Sequence, residues 1–68
     1  MKKDEFKQWA EKVGWIYYGK GATTLGVKVC DEVWVNLQGR TVLVHFKGDD
    51  VDIQVLLAGL SPGTYAEK

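Results

Sequence analysis

The sequence predicts an α+β domain, with an N-terminal helix packed on one face of a four- to five-stranded antiparallel β-meander. Two patterns carry this. From Leu25 to Leu57 apolar residues recur at alternate positions: Leu25, Val27 and Val29, then Val33, Val35 and Leu37, then Val42, Val44 and Phe46, then Val51, Ile53, Val55 and Leu57. Period two means strands with one buried face. Upstream, Phe6, Trp9, Ala10 and Val13 stand at i, i+3, i+4 and i+7, the single stripe of an amphipathic helix. A small β-barrel capped by the helix is the alternative use of the same elements.

Taken in order, the helix is predicted over residues 4 to 13. Asp4 serves as N-cap or first-turn acid. Gly14 stands where a left-handed C′ residue belongs, with Trp15 folding back on the last turn. Trp15 to Tyr18 is aromatic and β-branched, hence a strand, and Gly19 to Thr24 reads as a flexible connection. Strands follow at about 25–30, 33–38, 40–47 and 51–57, turned at Gly39 and at Gly48-Asp49-Asp50. The glycines and proline of Ala58 to Gly63 end regular structure. The organisation is therefore one domain over residues 1–60 and a flexible tail over 61–68.

Register follows from loop length. A two-residue loop at Gln38-Gly39 sets Val35 against Val42 and Val33 against Val44. A four-residue loop at 47–50 sets Phe46 against Val51, Val44 against Ile53 and Val42 against Val55. A three-residue loop at Cys30-Asp31-Glu32 sets Val29 against Val33. On this register the valine layer meets the helix. The open face carries the rows Lys28, Trp34, Leu43, Gln54 and Gly26, Asn36, Thr41, Leu56, with Cys30, Glu32, His45 and Asp52 at the loop end. Trp34, Leu43 and Leu56 then form an apolar patch rimmed by Lys28, Asn36 and Gln54, the pattern of a protein contact site. Its bland counterpart is a cross-strand pair that only stabilises the sheet.

Composition narrows the chemistry. The chain has 68 residues, nine basic and nine acidic, one cysteine and one histidine. One cysteine forms no intramolecular disulfide, and with one histidine it supplies too few soft ligands for structural zinc; no cofactor is expected. Met1-Lys2-Lys3-Asp4-Glu5 does not open a signal peptide, and no apolar run approaches the roughly 20 residues of a membrane span. A cytoplasmic protein without a membrane partner is expected. A balanced charge disfavours nucleic acid, where a basic excess supplies most of the affinity. The nucleic-acid alternative rests on Tyr17 and Tyr18 as stacking rings with Lys20, Lys28 and Arg40.

The candidates for catalysis are weak. Gly14 to Lys20 has the glycine and lysine spacing of a phosphate loop, but Gly21 follows where Ser or Thr should bind magnesium, and bulky strand formers fill the loop. Cys30 and His45 fall two strands apart, about 10 Å, too far for a nucleophile and its base. His45 instead lies between Glu32 and Asp52, which favours its protonated form. Asp49, Asp50 and Asp52 cluster at a turn without the alternating ligands of a calcium loop. In length, charge balance and lack of catalytic residues the chain resembles the small accessory proteins of bacteriophages and mobile elements, a likeness that carries no residue over. The sequence thus points to a non-enzymatic module that binds a protein partner or itself.

Overall fold

The computed structural model describes residues 1–57 and 61–66. It shows one helix, α1 (Lys3–Lys12), and six strands: β1 (Ile16–Lys20), β2 (Thr23–Thr24), β3 (Val27–Lys28), β4 (Glu32–Val35), β5 (Thr41–Lys47) and β6 (Asp50–Val55). A short 3-10 turn at Pro62–Thr64 follows. Strands β1-β4-β5-β6 form an open antiparallel sheet in that order, and β2-β3 a separate two-stranded ribbon. The class is α+β, and the sheet does not close into a barrel. Among the described residues, no helix is long and apolar enough to cross a membrane.

The helix forms as its stripe requires, with Phe6 and Ala10 buried. Its C-terminal cap is the expected one. Gly14 adopts φ +94°, the Trp15 N–H donates to Ala10 O and the Gly14 N–H to Glu11 O, the paired bonds of a Schellman ending. Trp15 thereby returns to Trp9, ring centroids 5.0 Å apart. Asp4 is a first-turn acid; the N-cap is Lys2, with no side-chain cap. Backbone bonds take that role. The Lys3 N–H donates to Asp49 O and the Val51 N–H to Met1 O, so the N-terminus is stitched to the start of β6.

The β5–β6 register is the expected one, Val42 with Val55, Val44 with Ile53 and Phe46 with Val51. The loop is shorter, because Lys47 and Asp50 also pair and Gly48 at φ +60° begins a two-residue turn.

The β4–β5 register differs by one residue. Val33 pairs with Leu43 and Trp34 with Val42. The cause is the loop. Asn36 Oδ1 accepts from the Gln38 and Arg40 N–H groups, Asn36 and Arg40 are joined by a backbone bond, and Gly39 sits at φ +77°. Leu37-Gln38-Gly39 is thus a three-residue loop closing on a left-handed glycine. An odd loop in place of an even one reverses the faces of β4. Trp34 therefore enters the helix-side core with Phe6, Ala10, Val42 and Val44.

The slot beside β4 is occupied by β1 rather than by the segment 25–30. Ile16 pairs with Val35, Tyr17 with Trp34, Gly19 with Val33 and Lys20 with Glu32, with a bulge at Tyr18. Residues 21–31 continue this hairpin into the β2–β3 arm, where Thr23 pairs with Lys28 and Thr24 with Val27. Gly21 sits at the bend, where a Cβ would fall 1.7 Å from Cys30 O, so only glycine fits. At the tip Leu25 and Gly26 both have positive φ, as a two-residue primed turn demands.

The second sheet face is covered too. Cys30, Val33 and Leu43 form a second buried cluster, overlaid by Val29, Leu56, Tyr65 and Ala66. Ala66 bridges Gly21, and the Ala22 N–H donates to Tyr65 O. Of the segment read from sequence as a loose tail, Tyr65 and Ala66 pack on this cluster, whereas Ser61, Gly63 and Thr64 are exposed; Glu67 and Lys68 lie outside the described residues, as do Ala58 to Leu60.

Candidate functional site

The contact patch read from sequence is not a surface. Trp34 is 0% exposed and Leu43 4%, and they lie on opposite faces of the sheet. Trp34 meets Phe6 edge-on at 5.5 Å and Tyr17 at 5.3 Å, and its Nε1–H donates to Glu32 Oε1. Leu56 is half-buried against Cys30, Val33 and Leu43. Of the proposed rim, Lys28 stands on the β3 arm with its Nζ 2.7 Å from Asp31 Oδ1, Asn36 bonds within its own loop, and Gln54 is exposed on β6. The structure keeps Leu43 with Leu56 in one buried cluster and beside Gln54 as a cross-strand pair, and disperses Trp34, Lys28 and Asn36.

The nucleic-acid set is likewise dispersed. Tyr17 faces the helix side against Trp34. Tyr18, in the bulge, reaches the Pro62–Thr64 turn on the other side, its hydroxyl near Gly63. Lys20 ends β1, whereas Arg40 lies at the opposite end of the sheet, where its Nη1 donates to Leu57 O.

The chemical candidates resolve into structural roles. Cys30 is buried, and burial, helped by the Asp31 charge, pushes its thiol pKa up, away from nucleophilic thiolate. Glu32 turns to the helix side with Trp34, so His45 is flanked across the sheet by Asp52 and not by Glu32. Two of the three turn aspartates form exposed ion pairs, Asp50 with Lys2 and Asp52 with Lys47. Among the described residues, no group of three His, Cys, Asp or Glu side chains could hold a metal ion. A groove of about 260 Å³ opens beside Lys3, Asp4, Phe6, Lys7, Glu32 and Phe46. Its two lysines are matched by two carboxylates, and Lys3 Nζ caps the Phe46 ring at 4.7 Å, which leaves no net preference for a charged ligand.

What stands out instead is one edge of the sheet. β1 is blunted by its bulge at Tyr18 and by Ala66 bridging Gly21 beyond its end. The first residues of β6 are covered by Met1 and Lys2. Among the described residues, nothing covers the remainder of β6 in this way. The Leu56 N–H donates inward to Thr41 O, while that of Val51 donates outward to Met1. Alternation then points the N–H and C=O of Ile53 and Val55 outward, where no strand neighbours them among the described residues. Val55 is 40% exposed and Leu57 81%, and the exposed Leu37 and Ile16 stand at the same end of the sheet.

This edge was readable in principle. The last strand of a meander is an edge strand, and Ile53-Gln54-Val55-Leu56-Leu57 contains none of the charges, proline or glycine that natural edges use to prevent pairing. Comparison with protein-family models, curated proteins and solved structures finds no match to this chain or its fold.

Proposed function

We propose that the protein is a non-enzymatic contact module that binds a protein partner along the outer edge of β6, from Ile53 to Leu57. One observation carries the reading: among the described residues, the outer edge of β6 presents a row of outward backbone groups with no strand beside them, next to exposed apolar side chains. An incoming strand would take main-chain hydrogen bonds from Ile53 and Val55 and would find Val55 and Leu57 as apolar contacts, the chemistry of strand addition. Arg40 is the charged side chain beside this end.

The test is site-specific photo-crosslinking. A photoreactive residue at position 57, in protein expressed in its native host, should give a discrete adduct, whereas the same residue at the exposed helix position 7 should not. Equal labelling from both positions, or none from position 57, would refute the edge as a contact surface.

A further inference from the structure

Resting on that edge reading, we infer that the occupant of the edge is β6 of a second copy of this chain, paired antiparallel about a two-fold axis at Gln54. Both Ile53 and Val55 aim their backbone groups outward, and this register places each against the other. Ile53 donates to and accepts from the partner's Val55, and Val55 does the same with the partner's Ile53. Four hydrogen bonds form, and the groups left unpaired in one copy are satisfied by the same groups in the other, the self-complementarity that a two-fold interface requires. Ile53 and Val55 lie on the helix side of β6 together with Val51, so the cross-strand pairs there are aliphatic. On the other side the Gln54 amide meets the partner's Gln54, two groups that can each donate and accept, and Asp52 lies opposite the partner's Leu56.

Competing registers fail on stated contacts. A two-fold at Ile53 would set Val55 against the partner's Val51, whose N–H is already held by Met1 O, and so lose bonds from the centre of the contact. It would also bring Asp52 diagonally next to its symmetry mate. About Gln54 it is Leu57, beyond the four-bond centre, that meets the partner's Val51 and must turn aside from Met1. A parallel pairing in register would stack Asp50 and Asp52 on their own copies, and like charges side by side on strands are unfavourable. In the antiparallel register about Gln54 the two acidic ends lie at opposite ends of the contact. The chain's zero net charge adds no long-range repulsion between copies.

So short a strand contact belongs at the small end of specific interfaces, roughly 1,200 Å² in total, and the dimer should dissociate on dilution. Sedimentation or light scattering over a roughly hundredfold range of concentration should show the mass rising from one chain to two. Val55→Lys adds an edge lysine at an exposed position and should remain one chain throughout, with unchanged circular dichroism. Because that side chain also touches the sheet, a synthetic chain with N-methylvaline at position 55 gives a second arm: it removes only the outward N–H and should weaken self-association at least tenfold. Wild-type protein that stays one chain, or an N-methyl variant that dimerises like wild type, overturns the pairing. The crosslink from position 57 separates the two claims. An adduct of two chains supports self-pairing, an adduct of another mass overturns self-pairing while leaving the edge reading, and no adduct overturns both.

Discussion

Leu25 is 98% exposed and holds φ +54°, a conformation that costs a residue with a Cβ about 1 kcal/mol or more. The turn needs two positive φ values, and Asn-Gly is the pair best suited to it. Leu25→Asn should therefore raise stability by about 1 kcal/mol in urea unfolding with the slope unchanged; a loss would mean that the leucine makes a compensating contact. Trp34 shows the opposite economy. It is the largest fully buried side chain, wedged between Phe6 and Tyr17, and its single polar atom is satisfied by Glu32. Period-two alternation with an even loop places it in water; the odd loop Leu37-Gln38-Gly39 turns it inward.

At the scale of elements, the readable parts were those fixed by local pattern. The helical stripe and the Gly14-Trp15 ending gave α1 to within one residue at each end, and the β5–β6 partners came from strand pattern and an even loop. What failed was β4, and with it every member of the contact set that depended on Trp34 facing out. The missed signal is Asn36 with Gly39 three residues on, a type I turn with its favoured first and last residues, which makes the loop odd. Deleting Gln38 leaves Leu37 and Gly39 as a two-residue loop between the same partners, Asn36 and Arg40, so Trp34 stays against Val42 and only the turn is weakened, a loss of about 1 kcal/mol. Gln38→Ala should be nearly neutral. Denaturation of the two variants checks this, and a deletion that costs about 3 kcal/mol or more, the scale of removing a buried aromatic, would show that the three-residue loop itself holds Trp34 inward. The placement of β1 beside β4 was illegible for a different reason: Gly19 to Thr24 resembles a linker, and only the bulge at Tyr18 with the bend at Gly21 turns it into a hairpin arm.

For the whole molecule, stability rests on two clusters separated by one sheet, and Asp31 ties the arm to it. Its carboxylate accepts from Lys28 Nζ at 2.7 Å and from the Phe46 N–H at 2.6 Å. The lysine contact first, and the backbone bond second, hold its pKa below the ordinary value of 3.8. The folded state therefore favours the charged form. Its contribution is complete above that ordinary value and is lost as pH falls through it towards the folded-state value. Asp31→Asn should destabilise by about 1–2 kcal/mol near neutral pH, with the gap to wild type closing in acid. Thermal unfolding from pH 2 to 7 reads this directly, and a gap that stays constant with pH would remove the carboxylate from the account. The exposed pairs Lys2–Asp50 and Lys47–Asp52 should matter far less.

The layer formed by Tyr65 and Ala66 has a practical corollary. It overlies the cluster of Cys30, Val33 and Leu43, so the buried thiol is a built-in gauge of whether that segment is docked. Trimming the chain after Leu57 should convert an inert sulfhydryl into one that reacts quickly with an alkylating reagent under native conditions. Any label or fusion joined at the carboxyl end can be judged benign or disruptive by the same reaction rate.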